Sequence, residues 1–293
     1  ALPIWVILSF TFCDLSQVFI QKKLIMKKNR VPVRFTGQHF AIDTRLINDA
    51  IRLADVQKED LVLDIGAGRG FLTVHLAKNT DNVIAIENDR RLVSELRSKF
   101  GCNKKVNIVA IDYMRFSFPQ KHFKVVSNIP YGITSDILKS LMFTNLEYFT
   151  QGCLIMQLEP AQKLVQQKFF NPYVVFYHTF FRLELMYEIS PKSFLPPPTV
   201  KSALLKISKK KCEDIGVEMK EKYLDFLYFM LHFPDLPVRT ALKKIFRKQQ
   251  VRELSEKSGL KLDNSVCTMS AQQFLECFVE MLKVVPDRFH PKK

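Results

Sequence analysis

The sequence lacks features that would assign it to several large classes of protein. None of its six cysteines stands in a Cys-x-x-Cys pair or near a histidine at metal-ligand spacing. We therefore expect reduced thiols and no zinc or other metal site. The sequence also lacks an uncharged apolar run of about 20 residues, the length that a membrane-spanning helix needs. The sequence has no internal repeat and no low-complexity tract. We expect a globular protein without a membrane partner, and the reduced thiols predict that it is cytoplasmic.

Acidic residues are scarce relative to basic ones. The 293 residues include 44 lysines and arginines against 29 aspartates and glutamates, which gives a net charge of +15. Such an excess favours a polyanionic partner such as nucleic acid, although charge alone does not separate RNA from DNA or anionic lipid. Hydrophobic residues make up 47% of the chain, enough to fill one large core or two ordinary ones.

The N-terminal segment is apolar but matches neither a signal peptide nor a membrane span. The run Pro3–Phe12 is interrupted early by Asp14, and the lysines follow the run instead of preceding it. A secretory signal has its basic region first. Because Met26 can serve as the start, we expect residues 1–25 to be an extension outside the fold, with a weak membrane tether as the alternative.

From about residue 61, short apolar runs alternate with amphipathic stretches, a pattern typical of strands and helices in a mostly parallel sheet. Strands are predicted at Leu61–Ile65, Val83–Ile86, Val106–Ile111, Phe123–Val126, Cys153–Leu158 and Ala203–Ile207. Helices are predicted at Phe71–Lys78, Arg90–Phe100 and Ser135–Phe143. The pattern does not resolve the elements of the aromatic-rich segment Tyr173–Tyr187.

Beyond the basic run Lys209–Lys211 the pattern is helical to the end of the chain. Helices are predicted at Lys220–Leu231, Val238–Phe246, Val251–Ser258 and Ala271–Leu282. This change predicts a domain boundary near residue 210. It divides an α/β domain of residues 26–209 from a smaller all-α domain of residues 210–293, which we expect to bind RNA.

Residues suited to ligand binding follow four successive predicted strands. A glycine-rich loop begins at Gly66, and Glu87, Asp112 and Asn128 end or follow the next three strands. Glycines let a ligand approach the backbone, the next helix offers free N–H groups, and Glu87 can accept from a ribose diol. Asp112 can accept from an adenine amine or, as the alternative, cap a turn. Together they predict a nucleoside-type cofactor at the carboxyl edge of the sheet.

The glycine spacing favours one such cofactor over another. A dinucleotide site prefers Gly-x-Gly-x-x-Gly. In this chain Gly66, Gly68 and Gly70 form Gly-x-Gly-x-Gly preceded by Asp64, which is more typical of S-adenosylmethionine sites. An NAD oxidoreductase is therefore the poorer interpretation.

The tetrapeptide Asn128-Ile129-Pro130-Tyr131 combines an amide, a rigid proline and an aromatic ring. The Asn128 carbonyl can accept from the exocyclic amine of a base while the Tyr131 ring stacks on its face. Asn and Pro are also common turn residues, so the tetrapeptide alone is equally well a strand-ending turn. The upstream residues favour the base-binding interpretation because they predict a methyl donor beside it.

Together these motifs resemble those of the ribosomal RNA adenine N6-dimethyltransferases, and among them the erythromycin-resistance (Erm) methyltransferases. The likeness runs from Arg34 to the C-terminus and includes Phe35–Phe40, the glycine-rich loop, Glu87, Asp112, the tetrapeptide, and Phe194 with its three prolines. It implies a Rossmann-like class I methyltransferase sheet and S-adenosylmethionine as cofactor. It also implies dimethylation of a 23S rRNA adenine, which confers macrolide-lincosamide-streptogramin B resistance.

The resemblance also implies roles for individual residues. Cofactor contacts fall on His39, Ala41, Gly66, Gly68, Glu87, Asn88, Asp112, Tyr113 and Asn128, and catalytic roles on Asn128, Ile129, Pro130, Tyr131 and Phe194. Tyr131 and Phe194 would clamp the base, with a core aromatic as the alternative for Phe194. Many relatives have Asn at the position of His39, so a contact made through the main chain is kept here, whereas one made through an Asn side chain is not.

Nascent 23S rRNA is the expected partner of a monomeric enzyme. Predicted phosphate contacts are Arg34, Lys243, Lys244, Arg247, Lys248 and Arg252, with a solvated helix face as the alternative. Small-subunit rRNA dimethyladenosine transferases share the same core but have Asn-Leu-Pro-Tyr followed by Asn, where this chain has Ile129 and Gly132. A non-catalytic RNA-binding factor on the same fold and a DNA adenine methyltransferase are further alternatives.

Overall fold

The computed structural model describes residues 39–292. Residues 1–38, and with them the predicted extension and Arg34, lie outside the described residues. The strands are β1 (Phe40–Ala41), β2 (Leu61–Ile65), β3 (Asn82–Glu87), β4 (Val106–Ala110), β5 (Phe123–Asn128), β6 (Phe149–Gln157), β7 (Phe181–Ile189), β8 (Phe194–Leu195) and β9 (Ser202–Lys209). The α-helices are α1 (Thr44–Leu53), α2 (Phe71–Asn79), α3 (Arg90–Phe100), α4 (Thr134–Lys139), α5 (Leu158–Val165), α6 (Pro172–Phe180), α7 (Lys220–Met230), α8 (Val238–Leu242), α9 (Lys248–Ser258) and α10 (Ala271–Val284).

Most strands form a seven-stranded sheet in the order β4-β3-β2-β5-β6-β9-β7. Neighbouring strands from β4 to β6 are parallel, and β9 is antiparallel to both β6 and β7. The chain moves outward from β2 through β3 to β4 and then crosses back to β5. This reversal opens a crevice at the carboxyl ends of β2 and β5, where open α/β sheets bind their ligands. The predicted Rossmann-like sheet is confirmed.

The central strand β2 is buried along its whole length. Leu61, Leu63 and Ile65 belong to one hydrophobic cluster, while Val62 belongs to the cluster on the other face of the sheet. A parallel strand covered by helices on both faces reads as a continuous apolar run, which is why its bounds could be predicted from the sequence. The predicted bounds of α3 are also confirmed, with Asp89 as its N-cap.

The helices α1 and α6 and the strands β1, β7 and β8 escaped prediction. The strand β7 follows α6 without a break, since the helix ends at Phe180 and the strand begins at Phe181. No glycine or proline separates the two, and a continuous aromatic run does not distinguish a buried helix from a buried strand.

The helices that follow residue 210 pack directly on the sheet domain. Tyr223 of α7 is fully buried, its hydroxyl hydrogen-bonds the hydroxyl of Thr179 at 2.9 Å, and its ring lies 5.0 Å from that of Phe278. The described residues from His39 onward form one compact unit, and one hydrophobic cluster includes residues of both the sheet and these helices. The all-helical pattern is as predicted, and the boundary near residue 210 stays a prediction. None of the helices between residues 39 and 292 is long and apolar enough to cross a membrane.

Candidate active site

The glycine-rich loop after β2 adopts a backbone conformation that only glycine tolerates well. Gly66, Gly68 and Gly70 have φ angles of 73°, 56° and 72°. A Cβ atom on Gly68 would lie 2.7 Å from the Phe40 ring, and one on Gly66 would lie 3.1 Å from Cγ of Pro130. The loop is therefore in close contact with β1 on one side and with the tetrapeptide after β5 on the other.

The carboxylate of Glu87 fixes the conformation of this loop. It is 5% exposed and accepts the backbone N–H of Gly68 at 2.8 Å and those of Asn88 and Asp89 at 2.9 Å each. A carboxylate offers about four acceptor positions, so capacity remains for one further donor. Glu87 thus joins the ends of β2 and β3, and its predicted ribose contact would add to these three bonds.

Asp112 follows β4 at the same edge of the sheet. Its Oδ1 accepts the backbone N–H of Met114 at 2.9 Å and caps the short 3₁₀ turn Tyr113–Arg115. One carboxylate oxygen of Asp112 therefore caps a turn, as in the alternative interpretation. Because the side chain is exposed, its second oxygen is available to a ligand. Tyr113 is buried at 7% exposure and packs in the core.

Asp64 is a buried carboxyl directly behind the glycine-rich loop. It is 1% exposed, and its Oδ2 accepts the hydroxyl of Thr73 at 2.7 Å. Burial and the negative charge of Glu87 raise the pKa of Asp64 to about 7, while the hydrogen bond from Thr73 acts in the opposite direction.

The side-chain amide of Asn128 has a fixed orientation. Its Nδ2 donates to the backbone carbonyl of His39 at 2.6 Å. Because a carbonyl only accepts, the amide nitrogen must face His39 and Oδ1 must point the other way. This buried oxygen has no hydrogen-bond partner among residues 39–292. A buried acceptor without a partner is energetically costly, and an N–H group of an exocyclic amine could satisfy this one.

Tyr131 is held at both ends of its side chain. Its hydroxyl hydrogen-bonds the hydroxyl of Ser202 in β9 at 2.8 Å, and its ring lies 6.3 Å from the His39 ring at an interplanar angle of 28°. Burial raises the pKa of Tyr131, more than the bond to Ser202 lowers it, so the phenol stays neutral. Ser202 was not predicted, because nothing in the local sequence reveals a partner 71 positions away.

The remaining tetrapeptide residues are divided between core and surface. Ile129 is 1% exposed and donates its N–H to the carbonyl of Ile155 in β6 at 3.1 Å, whereas Pro130 is exposed. Ser127, immediately before Asn128, bridges β5 to β2 because its hydroxyl donates to the carbonyl of Ile65 at 2.6 Å. These bonds hold the tetrapeptide at the crevice.

His39 connects the start of the described chain to the proline-rich loop. Its Nδ1–H donates to the carbonyl of Pro196 at 2.9 Å. Next to it, β1 and β8 pair antiparallel, with Ala41 opposite Phe194. Ala41 is 5% exposed, so its side chain packs inward and only its main chain can reach a ligand.

The structure does not bring the Phe194 ring to the surface beside Tyr131. Phe194 is 2% exposed and packs in the cluster that includes Leu46 and Ile47 of α1, whereas Leu195 is 51% exposed. The Phe194 ring is thus placed as a core aromatic, the alternative interpretation of this residue. The pleat of β8 turns consecutive side chains to opposite faces, so Leu195 points outward and Phe194 inward.

The comparisons with known proteins identify the family. A family model described as ribosomal RNA adenine dimethylase matches residues 30–283. The chain belongs to the ribosomal RNA adenine dimethylase family. A rRNA adenine N-6-methyltransferase of Bacteroides fragilis is 58% identical over 266 residues, which cover 91% of this chain and 100% of the relative. A Bacillus licheniformis protein of the same description is 31% identical and covers 88% of this chain and 90% of its own length.

The fold of this dimethylase family member is also that of a solved structure. The 23S rRNA methyltransferase ErmE has a TM-score of 0.73 at 23% identity, covering 83% of this chain and 99% of the ErmE chain. S-adenosylmethionine is the methyl donor of the family, and the crevice suits it. The glycine-rich loop allows close backbone approach, and Glu87 and Asp112 each retain acceptor capacity.

Five of the six predicted RNA-binding residues lie in the helical part of this family member, and the sixth, Arg34, lies outside the described residues. Lys243, Lys244, Arg247, Lys248 and Arg252 are all exposed, the first three between α8 and α9 and the last two in α9. Arg252 pairs with Glu256 at 3.0 Å, which is typical of a solvated helix face. Lys244 instead lies over the Phe233 ring, with Nζ 5.3 Å from the ring centroid. Their contact with RNA remains a prediction.

Proposed function

We propose that this chain transfers methyl groups from S-adenosylmethionine to N6 of an adenine in 23S rRNA. The observation that carries the proposal is the unpaired Oδ1 of Asn128, buried in the crevice next to Tyr131. An acceptor fixed in this way selects a ligand with an N–H group, and the adjacent ring selects a planar one. The exocyclic amine of adenine has both properties.

In the proposed reaction, Asn128 and the carbonyl of Ile129 each accept one N–H of the adenine amine. The lone pair of this nitrogen is delocalised into the ring, and holding both hydrogens favours a pyramidal nitrogen whose lone pair points towards the donor. Tyr131 stacks on the base, which must be unpaired or flipped out of its helix to reach the crevice. Its neutral phenol, bonded to Ser202, keeps the ring in place.

Bound S-adenosylmethionine supplies an activated methyl group. The residues that we propose to hold it are His39, Ala41, Gly66, Gly68, Glu87, Asn88, Asp112, Tyr113 and Asn128. Of these, Ala41 acts through its main chain, Glu87 through its remaining acceptor position, and Tyr113 by packing beneath the site. His39 acts through its carbonyl, which orients Asn128.

No strong base is required, because the methylated nitrogen is acidic and loses its proton to water. A monomethylated amine keeps one hydrogen for Asn128 or Ile129 to hold, so a second turnover gives the dimethyl product. Methyl groups on an adenine in the part of 23S rRNA that binds macrolides, lincosamides and streptogramin B would exclude these antibiotics. The proposed substrate also implies a cytoplasmic enzyme, and one chain supplies the whole crevice, in keeping with a monomer.

Expression in a macrolide-sensitive bacterium tests this proposal. We expect resistance and a new primer-extension stop at one adenine of 23S rRNA, both absent with the Asn128→Ala variant at equal expression. A stop in 16S rRNA without resistance would identify a small-subunit enzyme instead. Unmodified rRNA in both subunits would favour the non-catalytic alternative.

A further inference from the structure

Two phenylalanines outside the crevice are exposed and carry lysines over their rings. Phe170 and Phe233 are 51% and 52% exposed. Nζ of Lys168 lies 5.3 Å from the centroid of the Phe170 ring, and Nζ of Lys244 lies 5.3 Å from that of Phe233. The neighbouring Phe169 is 1% exposed and fills the core, so the chain at this point has one inward and one outward ring.

Backbone hydrogen bonds connect these two groups although they are far apart in sequence. The backbone N–H of Phe169 donates to the carbonyl of Cys267 at 2.8 Å, and the N–H of Cys267 donates to the carbonyl of Pro234 at 2.9 Å. Through these bonds the Cα atoms of Phe170 and Phe233 are at most about 21 Å apart. We call the five exposed side chains of these two groups, Lys168, Phe170, His232, Phe233 and Lys244, the Phe-Lys patch.

The two lysines of the Phe-Lys patch are free of direct ion pairs within the part of the chain that the structure describes. Neither Lys168 nor Lys244 forms an ion pair with a carboxylate among residues 39–292. A carboxylate does lie near Cys267, the residue that connects the two groups: Oδ1 of Asp235 is 3.9 Å from the Cys267 thiol. His232 adds a third ring, whose centroid is 4.3 Å from that of Phe233.

We propose that the Phe-Lys patch binds an unpaired segment of the RNA substrate, with bases stacked on Phe170 and Phe233 and phosphates next to Lys168 and Lys244. The proposal rests on the proposed function, which makes RNA the substrate. Exposed rings bind bases of any identity through their faces, and ammonium groups beside them attract the backbone. A duplex hides its base faces, so the geometry selects unpaired RNA.

Fluorescence anisotropy with the full chain and a labelled single-stranded RNA tests the patch. We expect Phe170→Leu and Phe233→Leu each to weaken binding roughly fivefold or more, since each removes one stacking ring. Phe289→Leu is the matched control. Phe289 is 62% exposed with the Arg288 guanidinium 4.8 Å from its ring centroid, but it lies near Lys222 at the start of α7, whereas Phe233 follows the end of that helix. The control should bind as the wild type does.

The lysines and the strandedness of the RNA give independent readouts. Lys168→Gln and Lys244→Gln should each lower the slope of log Kd against log salt by roughly 0.7, the value for one phosphate contact on a single strand. A fully paired duplex of the same sequence should bind all the phenylalanine variants equally. Wild-type affinity of both phenylalanine variants for the single strand would overturn the proposal. So would an altered oligomeric state in size-exclusion chromatography with RNA binding intact, which identifies a protein interface.

Methylation of rRNA by the wild-type protein, measured in parallel, separates this proposal from the proposed function. Wild-type methylation of 23S rRNA together with unaltered binding by the variants rejects the patch alone. Absence of methylation by the wild type, with binding lost in the variants, rejects the proposed function and supports the patch.

Discussion

The side-chain amide of Asn128 donates to the backbone carbonyl of His39 at 2.6 Å. This contact joins the end of β5 to the residue before β1 and turns the amide oxygen into the crevice. The carbonyl of residue 39 performs this role whatever its side chain is, so the role does not depend on a histidine at this position. The contact also makes the active site sensitive to specific changes at Asn128.

Replacement of Asn128 should abolish most methyl transfer. Asn128→Ala removes the acceptor, and Asn128→Asp places a carboxylate oxygen against the His39 carbonyl, so both should lower kcat/KM by roughly 100-fold or more, as loss of a fixed catalytic hydrogen-bond partner does. Transfer of a radiolabelled methyl group to rRNA measures this. Near-wild-type kcat/KM in Asn128→Ala would refute the role of Oδ1.

Tyr131 should tolerate loss of its hydroxyl better than loss of its ring. Tyr131→Phe keeps the stacking face and breaks only the bond to Ser202, at a cost of about 1 kcal/mol. Tyr131→Ala loses the stack and should raise the activation free energy for kcat/KM by a further ~1–3 kcal/mol. Calorimetric titration with S-adenosylmethionine should give cofactor affinities within a few-fold of wild type for both variants. Equal methylation rates in the two variants would contradict a stacking role.

Asp64 should make the protein less stable as pH rises through the range from about 4 to 7. Its pKa is raised from 3.8 to about 7 in the fold, so the folded state binds the proton more tightly than the unfolded state. Its contribution is therefore most favourable below pH 4, falls as the pH approaches 7, and is constant above. Asp64→Asn keeps an acceptor for Thr73 and should remove this dependence. Urea unfolding measures this: between pH 4 and 7 the free energy of unfolding of the wild type should fall relative to that of Asp64→Asn, by a few kcal/mol in total.

Gly68→Ala should destabilise the fold more than Gly259→Ala does. Both glycines have positive φ, 56° and 62°, but a Cβ on Gly259 meets nothing within 4 Å whereas one on Gly68 meets the Phe40 ring at 2.7 Å. Gly259→Ala should therefore cost about 1 kcal/mol from backbone strain alone. Gly68→Ala should cost at least about 2 kcal/mol and also weaken cofactor binding. Chemical denaturation of the two variants provides the comparison, and equal losses would contradict the contact with Phe40.

Phe194 offers a test between its two interpretations. As a core aromatic, Phe194→Ala should cost about 3–5 kcal/mol of stability, while Phe194→Leu should cost little and leave kcat near wild type. As one face of a clamp, Phe194→Leu should keep stability and lose methyl transfer. Thermal unfolding and single-turnover methylation of Phe194→Leu distinguish the two, and the 2% exposure of the ring favours the first.

The sequence by itself determined most strands of the sheet, the edge of the sheet at which the cofactor is expected, and the family. Buried parallel strands read as apolar runs, glycines mark positions with positive φ, and polar residues at the ends of parallel strands converge at one edge because of topology alone. These are local signals, so Gly66, Glu87, Asp112 and Asn128 could all be predicted as neighbours. The strand β7 could not be, because helix and strand follow each other there without a break.

Only the tertiary structure decided how the site residues are oriented and supported. The partner of Tyr131 is Ser202, the partner of Asn128 is a backbone carbonyl 89 positions away, and the ring of Phe194 lies in the core. Two backbone bonds at Cys267 connect Phe169 to Pro234. Such contacts depend on which distant segments pack together, and this is a property of the whole fold that no local pattern of residues encodes.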